Sequence, residues 1–270
     1  MANKTILKWA GSKVRIMNQL RPHLPKTKRL VEPFAGSCAV MMNTDYEQYL
    51  VADVNHDLIN LYHIAQALPA PFIPNAEYYF QTFNQGKSYY DIRSKFNTTK
   101  KHMTSEGIAV NFLYLNRHCY NGLCRYSEKT GFNVPFGNYK KPYFPKEEII
   151  AFAVKSQDAY IACLEWQDTL SLVDYSDGIY CDPPYMGDNF TRYSSSDFTD
   201  SDNEALAFAL KDINDMQGNP ITVSNSLEAK ELYADLGFTI HEIEAPRTIS
   251  AKGNRKPAKE IIAVLNGGAQ

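Results

Sequence analysis

Near the start of the chain the apolar positions switch period from two to about three and a half and back again, and that switching sketches the first elements. Residues 29–34 (Arg29-Leu30-Val31-Glu32-Pro33-Phe34) read as a short buried strand, followed by the small-residue turn Ala35-Gly36-Ser37-Cys38 and an apolar helical start running to Met42. A second strand, 49–53, ends in Asp53, seventeen positions after Gly36. Residues 56–68 then repeat Leu58, Leu61, Tyr62, Ala65 and Leu68 at helical spacing,. This is a βαβα opening. It sets a tight turn near a helix N-terminus and an acid at the end of the next strand, the arrangement in which a Rossmann-like unit holds an adenosine ribose. Taken alone the signal is weak, because Gly36-Ser37-Cys38 lacks the second glycine of the usual fingerprint.

Strand periods vanish between residues 77 and 159, where 77–85, 89–97 and 108–118 read as helices. The long irregular stretch 120–145 is dense in Gly, Pro, Asn, Tyr, Lys and Arg. A loop of that length inside a folded unit is usually functional or disordered. Here Tyr120, Tyr126, Phe132, Phe136, Tyr139, Tyr143 and Phe144 interleave with Arg125, Lys129, Lys140 and Lys141, a mixture that stacks on bases and neutralises phosphates, although some of these rings serve to fasten the loop to its scaffold,. Alternation resumes with strands at 160–166, 178–181 and 220–225, helices at 202–216 and 227–236, and two closing extended runs at 239–244 and 260–265. The expected class is α/β, a mostly parallel open sheet closed by a terminal hairpin, with ligands beyond the strand C-termini. The division expected is a catalytic unit from 1–70 and 146–270, interrupted by a helical module, 71–145, that carries the 120–145 loop.

Composition narrows the class without deciding it. The 270 residues are 44% hydrophobic and 21% charged, ordinary for a globular chain,. No apolar run approaches the roughly 18 residues of a membrane span, and Met-Ala-Asn-Lys-Thr opens no secretory signal, so the expected location is the cytoplasm,. Five cysteines without a CxxC pair point to reduced thiols, with neither a metal site nor a disulfide framework expected,. The net charge of −2 hides strong segregation. Residues 1–30 carry +8 and 87–146 carry +8, against −6 for 31–86 and −12 for 147–270. Two basic blocks facing one groove would grip a polyanion; on unrelated faces they would be ordinary solvated charge.

The most informative four residues are Asp182-Pro183-Pro184-Tyr185, directly after the apolar run Gly178-Ile179-Tyr180-Cys181. Each proline fixes its own φ and pushes its predecessor into an extended conformation, so Asp182 leaves the strand outstretched into a rigid turn. The turn offers a carboxylate, carbonyls without competing N–H groups, and an aromatic face. Those suit a planar ring bearing an exocyclic amine. A plain Pro-Pro strand terminator with a capping Asp fits the tetrapeptide equally well.

Four stretches in order settle that tie: Leu7-Lys8-Trp9-Ala10-Gly11-Ser12-Lys13, Glu32-Pro33-Phe34-Ala35-Gly36, Tyr120-Asn121-Gly122-Leu123-Cys124-Arg125-Tyr126 and Asp182-Pro183-Pro184-Tyr185. Together they resemble the Dam family of DNA adenine-N6 methyltransferases over almost the whole chain. The resemblance implies S-adenosyl-L-methionine as donor and the adenine of GATC in double-stranded DNA as target. It assigns cofactor binding to Trp9, Lys13, Phe34, Gly36, Asp53 and Asp182, and catalysis to Asp182, Pro183 and Tyr185. Trp166, placed at a strand end, is a weaker candidate for a wall against the donor adenine. DNA contacts carry over onto Lys8, Arg93, Tyr120, Asn121, Leu123, Arg125, Asn133 and Pro135, with Tyr120 entering the space left by a flipped base. Ser127 stands where relatives commonly have Asn, and Cys38 where they often have a second glycine; the latter is expected to lower donor affinity. A monomer is expected. Two other readings stay open at this point: methylation of cytosine N4 or another planar amide nitrogen, and a noncatalytic DNA-binding protein whose cofactor turn has decayed.

Overall fold

Among the described residues, strands of continuous burial alternate with helices whose buried positions recur every three or four residues, up to the closing pair of strands,. The computed structural model of the protein describes residues 2–187, 198–246 and 258–267. In chain order the elements are α1 (Met17–Leu20), β1 (Arg29–Glu32), β2 (Gln48–Ala52), α2 (His56–Ala67), α3 (Pro69–Thr82), α4 (Gly86–Thr99) and α5 (Ser105–His118). There follow a two-stranded hairpin, β3 (Tyr126–Ser127) and β4 (Gly131–Phe132), and then α6 (Lys146–Lys155), β5 (Ala159–Ala162) and α7 (Trp166–Leu170). The chain finishes with β6 (Asp177–Cys181), α8 (Asp200–Gln217), β7 (Ile221–Ser226), α9 (Lys230–Asp235), β8 (Thr239–Ala245) and β9 (Ala258–Leu265).

The large sheet has the order β5-β2-β1-β6-β7-β9-β8. Its pairs are parallel from β5 through β7, and β9 runs antiparallel to both β7 and β8. This is the mixed α/β, Rossmann-like architecture. The chain builds outward from β1 through β2 to β5, then returns to add β6 on the other side of β1. Between β1 and β6 the order therefore reverses, which opens a crevice at their C-terminal ends. Alternation on β6 shows how the sheet is buried on both faces. Tyr180 joins a large cluster with Leu30, Tyr49 and Ile262, while Ile179 and Cys181 point into a second cluster with Leu206, Leu210 and Val223,. The first cluster runs without a break into the helices α2 to α6 through Leu58, Phe72, Phe96, Phe112 and Phe152. At the opposite end of the strands, Arg29 Nε and Nη2 grip the two Asp177 carboxylate oxygens at 2.8 and 2.5 Å, fixing β1 against β6.

Three expectations from the sequence need correction. The helical start expected after Cys38 is a run of turns with only a short 3-10 segment, Met41–Asn43, because Cys38 itself sits at φ 56, where a helix cannot begin,. The strand expected over 160–166 stops at Ala162, and Trp166 opens α7 after an extended Glu165. The helix expected at 77–85 begins eight residues earlier, at Pro69, with Pro74 inside it. Phe72, Ala76 and Phe80 recur every fourth position on its buried face, and that packing outweighs the cost of the proline,.

Candidate active site

Asp182 follows β6 directly and lies across the crevice from the turn after β1, as the switch in strand order requires. The turn it begins is propped from beneath. Asn203, almost wholly buried on α8, donates to the Pro184 carbonyl at 3.1 Å, and Asn225 at the end of β7 accepts from Met186 N at 3.0 Å. The two asparagines also bond each other at 2.9 Å. Lys13 Nζ forms an ion pair with Asp182 Oδ1 at 2.7 Å and donates to the Gly11 carbonyl at 2.9 Å. An ammonium has three donors, so one remains for a ligand. Burial pushes the Asp182 carboxyl up to about 6, the Lys13 charge and hydrogen bond restrain it, and Glu260 raises it further. The Tyr185 hydroxyl donates to Glu260 Oε2 at 2.8 Å, and its ring lies 5.0 Å from Lys13 Nζ.

The other side of the crevice is made by Gly36 and Asp53. Gly36 takes φ +45, and a Cβ there would lie 2.8 Å from the Trp9 indole Nε1, so glycine is what lets the N-terminal strip close over the turn,. Asp53 accepts from Gly36 N at 3.0 Å and from Asn55 N at 2.9 Å. Burial lifts its carboxyl to about 6 against those two N–H donors. Glu32, 2% exposed on the crevice wall, is pushed up to about 8 by burial, and its Oε1 has no hydrogen-bond partner. An orphaned buried oxygen and a glycine cradle beside two further carboxyls form an acceptor set suited to a ligand with an ammonium or hydroxyl groups,. Phe34 and Trp166 also line this end. Cys38 does not. Its side chain is wholly buried against Tyr62, so the missing second glycine changes a core position at φ 56.

One cleft of about 1730 Å³ joins this crevice to the loop that begins at Tyr120. Both basic blocks meet in it: Lys4, Lys8, Lys13 and Arg15 from the first, Arg117 and Arg125 from the second. A family model described as D12 class N6 adenine-specific DNA methyltransferase matches residues 9–249, spanning both halves of that cleft. The chain belongs to the D12 class of N6 adenine-specific DNA methyltransferases. It is 50% identical to the retron Ec67 DNA adenine methylase of Escherichia coli, over 96% of this chain and 90% of that one. It is 40% identical to the DNA adenine methylase of Serratia marcescens (97% and 98% covered) and 38% identical to that of Escherichia coli strain K12 (98% and 96%). The protein is thus an adenine-specific DNA methyltransferase. Neither cytosine N4 nor a noncatalytic role fits that family.

Around the 120–145 loop of the methyltransferase, the structure separates the residues expected to contact DNA into two groups. Lys8, Tyr120, Asn121, Leu123 and Arg125 line the cleft together with Asp182 and Asp53. Tyr120 is 51% exposed, while Leu123 is partly packed on the core. Lys8 Nζ sits 3.9 Å above the Tyr139 ring, and burial, followed by the Arg117 charge, lowers its pKa. Arg93, Asn133 and the exposed Pro135 lie outside that lining and are bonded to the loop that forms it. Asn133 Oδ1 accepts from Arg125 Nε at 2.6 Å, the Pro135 carbonyl accepts from Tyr120 N at 2.8 Å, and Arg93 Nη1 donates to the Val134 carbonyl at 2.9 Å. Asn121 takes φ 55, and Gly122 follows at φ +68 with the Lys8 Cβ only 2.1 Å from where its own Cβ would stand. That close approach brings the first and third motifs together. Residues to which the sequence assigned no role complete the site: Glu32, Asn203, Asn225 and Glu260. Glu32 lay inside a quoted motif, and its place at a strand end on the crevice was the available clue.

No helix among the described residues is long and apolar enough to cross a membrane.

Proposed function

We propose that the chain transfers a methyl group from S-adenosyl-L-methionine to N6 of the adenine in double-stranded GATC, with that adenine turned out of the duplex. The observation that carries this reading is the single cleft in which the Asp182 carboxylate, the Asp53 turn and the exposed Arg125 meet. Its volume exceeds the roughly 300–1000 Å³ of an ordinary small-ligand pocket, which suits a donor and an extruded base together. On this reading Asp53 accepts the ribose hydroxyls, Trp9, Phe34 and the Gly36 turn line the donor, and Lys13 turns its remaining N–H to the carboxylate of the methionine end. When bound, the donor supplies a methyl carbon on a sulfonium, the electrophile for in-line displacement.

An aromatic amine is a weak nucleophile because its lone pair is delocalised into the ring. Asp182 and the Pro183 carbonyl accept the two N6 hydrogens, localise that pair and aim it. The new N–C bond forms as the C–S pair departs with sulfur, and the surplus amine proton leaves to solvent or to Asp182. Tyr185, oriented by Glu260, stacks on the base, and Tyr120 fills the vacated space, together offsetting a flipping cost of a few kcal/mol. Arg125 and Lys8 read guanines, and Leu123 and Pro135 bracket the thymine. Residues 71–145 act as the target-recognition unit within the catalytic unit of 1–70 and 146–270. All these groups come from one chain, so a monomer suffices, working on DNA in the cytoplasm of a bacterial or phage-infected cell.

Methylation mapping of plasmid DNA incubated with the protein and donor tests the reading: N6-methyladenine is expected at GATC and not at sequences one base removed. Modification spread over other adenines would reject GATC. A second expectation concerns the cradle. Gly36→Ala is expected to weaken donor binding about tenfold or more, since a methyl at positive φ meets the Trp9 indole,. Calorimetry with S-adenosylhomocysteine reads this, and unchanged affinity would move the donor away from Gly36.

A further inference from the structure

Cys124, Arg125 and Tyr126 run in an extended stretch whose side chains alternate: Cys124 and Tyr126 turn inward, and Arg125 is exposed toward the cleft,. Both inward residues are fastened to the start of α2, a few positions after Asp53. Asn55 caps that helix through Oδ1, which accepts from Asp57 N and Leu58 N at 3.0 and 3.1 Å, while its Nδ2 donates to Cys124 Sγ at 3.5 Å. Asp57, 5% exposed, accepts from the Tyr126 hydroxyl at 2.7 Å and from Lys100 Nζ at 2.9 Å on each oxygen. Burial keeps the Tyr126 hydroxyl protonated as a donor. Asn133 Oδ1 accepts from Arg125 Nε at 2.6 Å, which holds the exposed arginine at the root of its guanidinium.

We propose that Asp57 is a positioning residue for sequence readout: by holding the Tyr126 hydroxyl it sets the direction in which Arg125 leaves the loop, and it ties that direction to the strand end bearing Asp53. This rests on the reading of Arg125 as a base-reading residue. The geometry separates the role from bulk stability, because Tyr126→Phe removes one hydrogen bond while leaving the ring against Phe132 and the Asp57–Lys100 pair in place.

The experiment compares kcat/KM on a GATC duplex with duplexes changed at each base pair in turn, for wild type, Tyr126→Phe, Arg125→Ala and the double variant. Tyr126→Phe is expected to lose about five- to tenfold of discrimination at the base pair where Arg125→Ala loses it, a part of the roughly 12- to 150-fold that a hydrogen bond to a carboxylate is worth. It is expected to add nothing in the Arg125→Ala background and to leave affinity for S-adenosylhomocysteine unchanged. Undiminished discrimination in Tyr126→Phe overturns the inference, as does an equal loss at every position, which marks general loosening. A wild type without preference for GATC overturns the reading of Arg125 and this inference with it, whereas a selective wild type matched by an equally selective variant overturns this inference alone.

Discussion

Replacing Asp182 by alanine is expected to lower kcat roughly a thousandfold or more, while affinity for a GATC duplex, which rests mainly on phosphate contacts, stays within about threefold. The carboxylate sits at the mouth of the β1/β6 crevice, 2.7 Å from Lys13 Nζ. Single-turnover transfer of labelled methyl and fluorescence anisotropy with duplex DNA separate the two effects, and retained turnover would remove Asp182 from the chemistry. The same residue predicts a pH profile. A carboxyl accepts both through charge and lone pairs only when ionised, and burial has raised this one from 3.8 to about 6,. The ionised form therefore dominates above pH 6 and is lost as pH falls through 6, so kcat/KM should show an acid limb there. Lys13→Met removes the charge that restrains the shift, and the limb is expected to move to higher pH. A limb that stays in place would show that the ion pair does not govern the carboxyl.

Arg125→Ala is expected to relax choice at one guanine by about 1–3 kcal/mol, or roughly five- to 150-fold, with a smaller loss of overall affinity. The reason is geometric. Its Nε is already committed to Asn133 at 2.6 Å, which leaves the paired outer N–H groups to face guanine O6 and N7. A partner that merely neutralised phosphate would not need that fixed fork. Steady-state kinetics on substituted duplexes, with the salt dependence of binding, decide the matter. A uniform loss across all sequences with a shallower salt slope would reassign Arg125 to the phosphate backbone.

Much of the frame was legible from local pattern. The Leu30-Val31 strand, the Asp53 strand, the helix from His56 and the terminal extended run expected at 260–265, observed as Ala258–Leu265, were all readable, because their apolar periods match the burial they achieve. What misled were places where tertiary packing overrides local signals. Pro74 argues against a helix running through it, yet α3 forms from Pro69 onward because Phe72, Ala76 and Phe80 dock against the core,. The apolar run after Cys38 argues for a helix, yet a left-handed residue turns it.

The sequence by itself determined which chemical groups the protein owns and the order in which it presents them: a proline-stiffened acid, a glycine turn, two basic segments and an aromatic loop. Those are local facts, fixed by residue type and neighbour. Only the tertiary structure decided that Lys13 meets Asp182, that Glu260 holds Tyr185, that Asn203 and Asn225 brace the turn after Asp182 and that Asp57 reaches Tyr126. These partners lie 19 to 169 positions apart along the chain. No periodicity carries such pairings, because they arise from the strand order and the packing of helices on it, which the whole chain settles together.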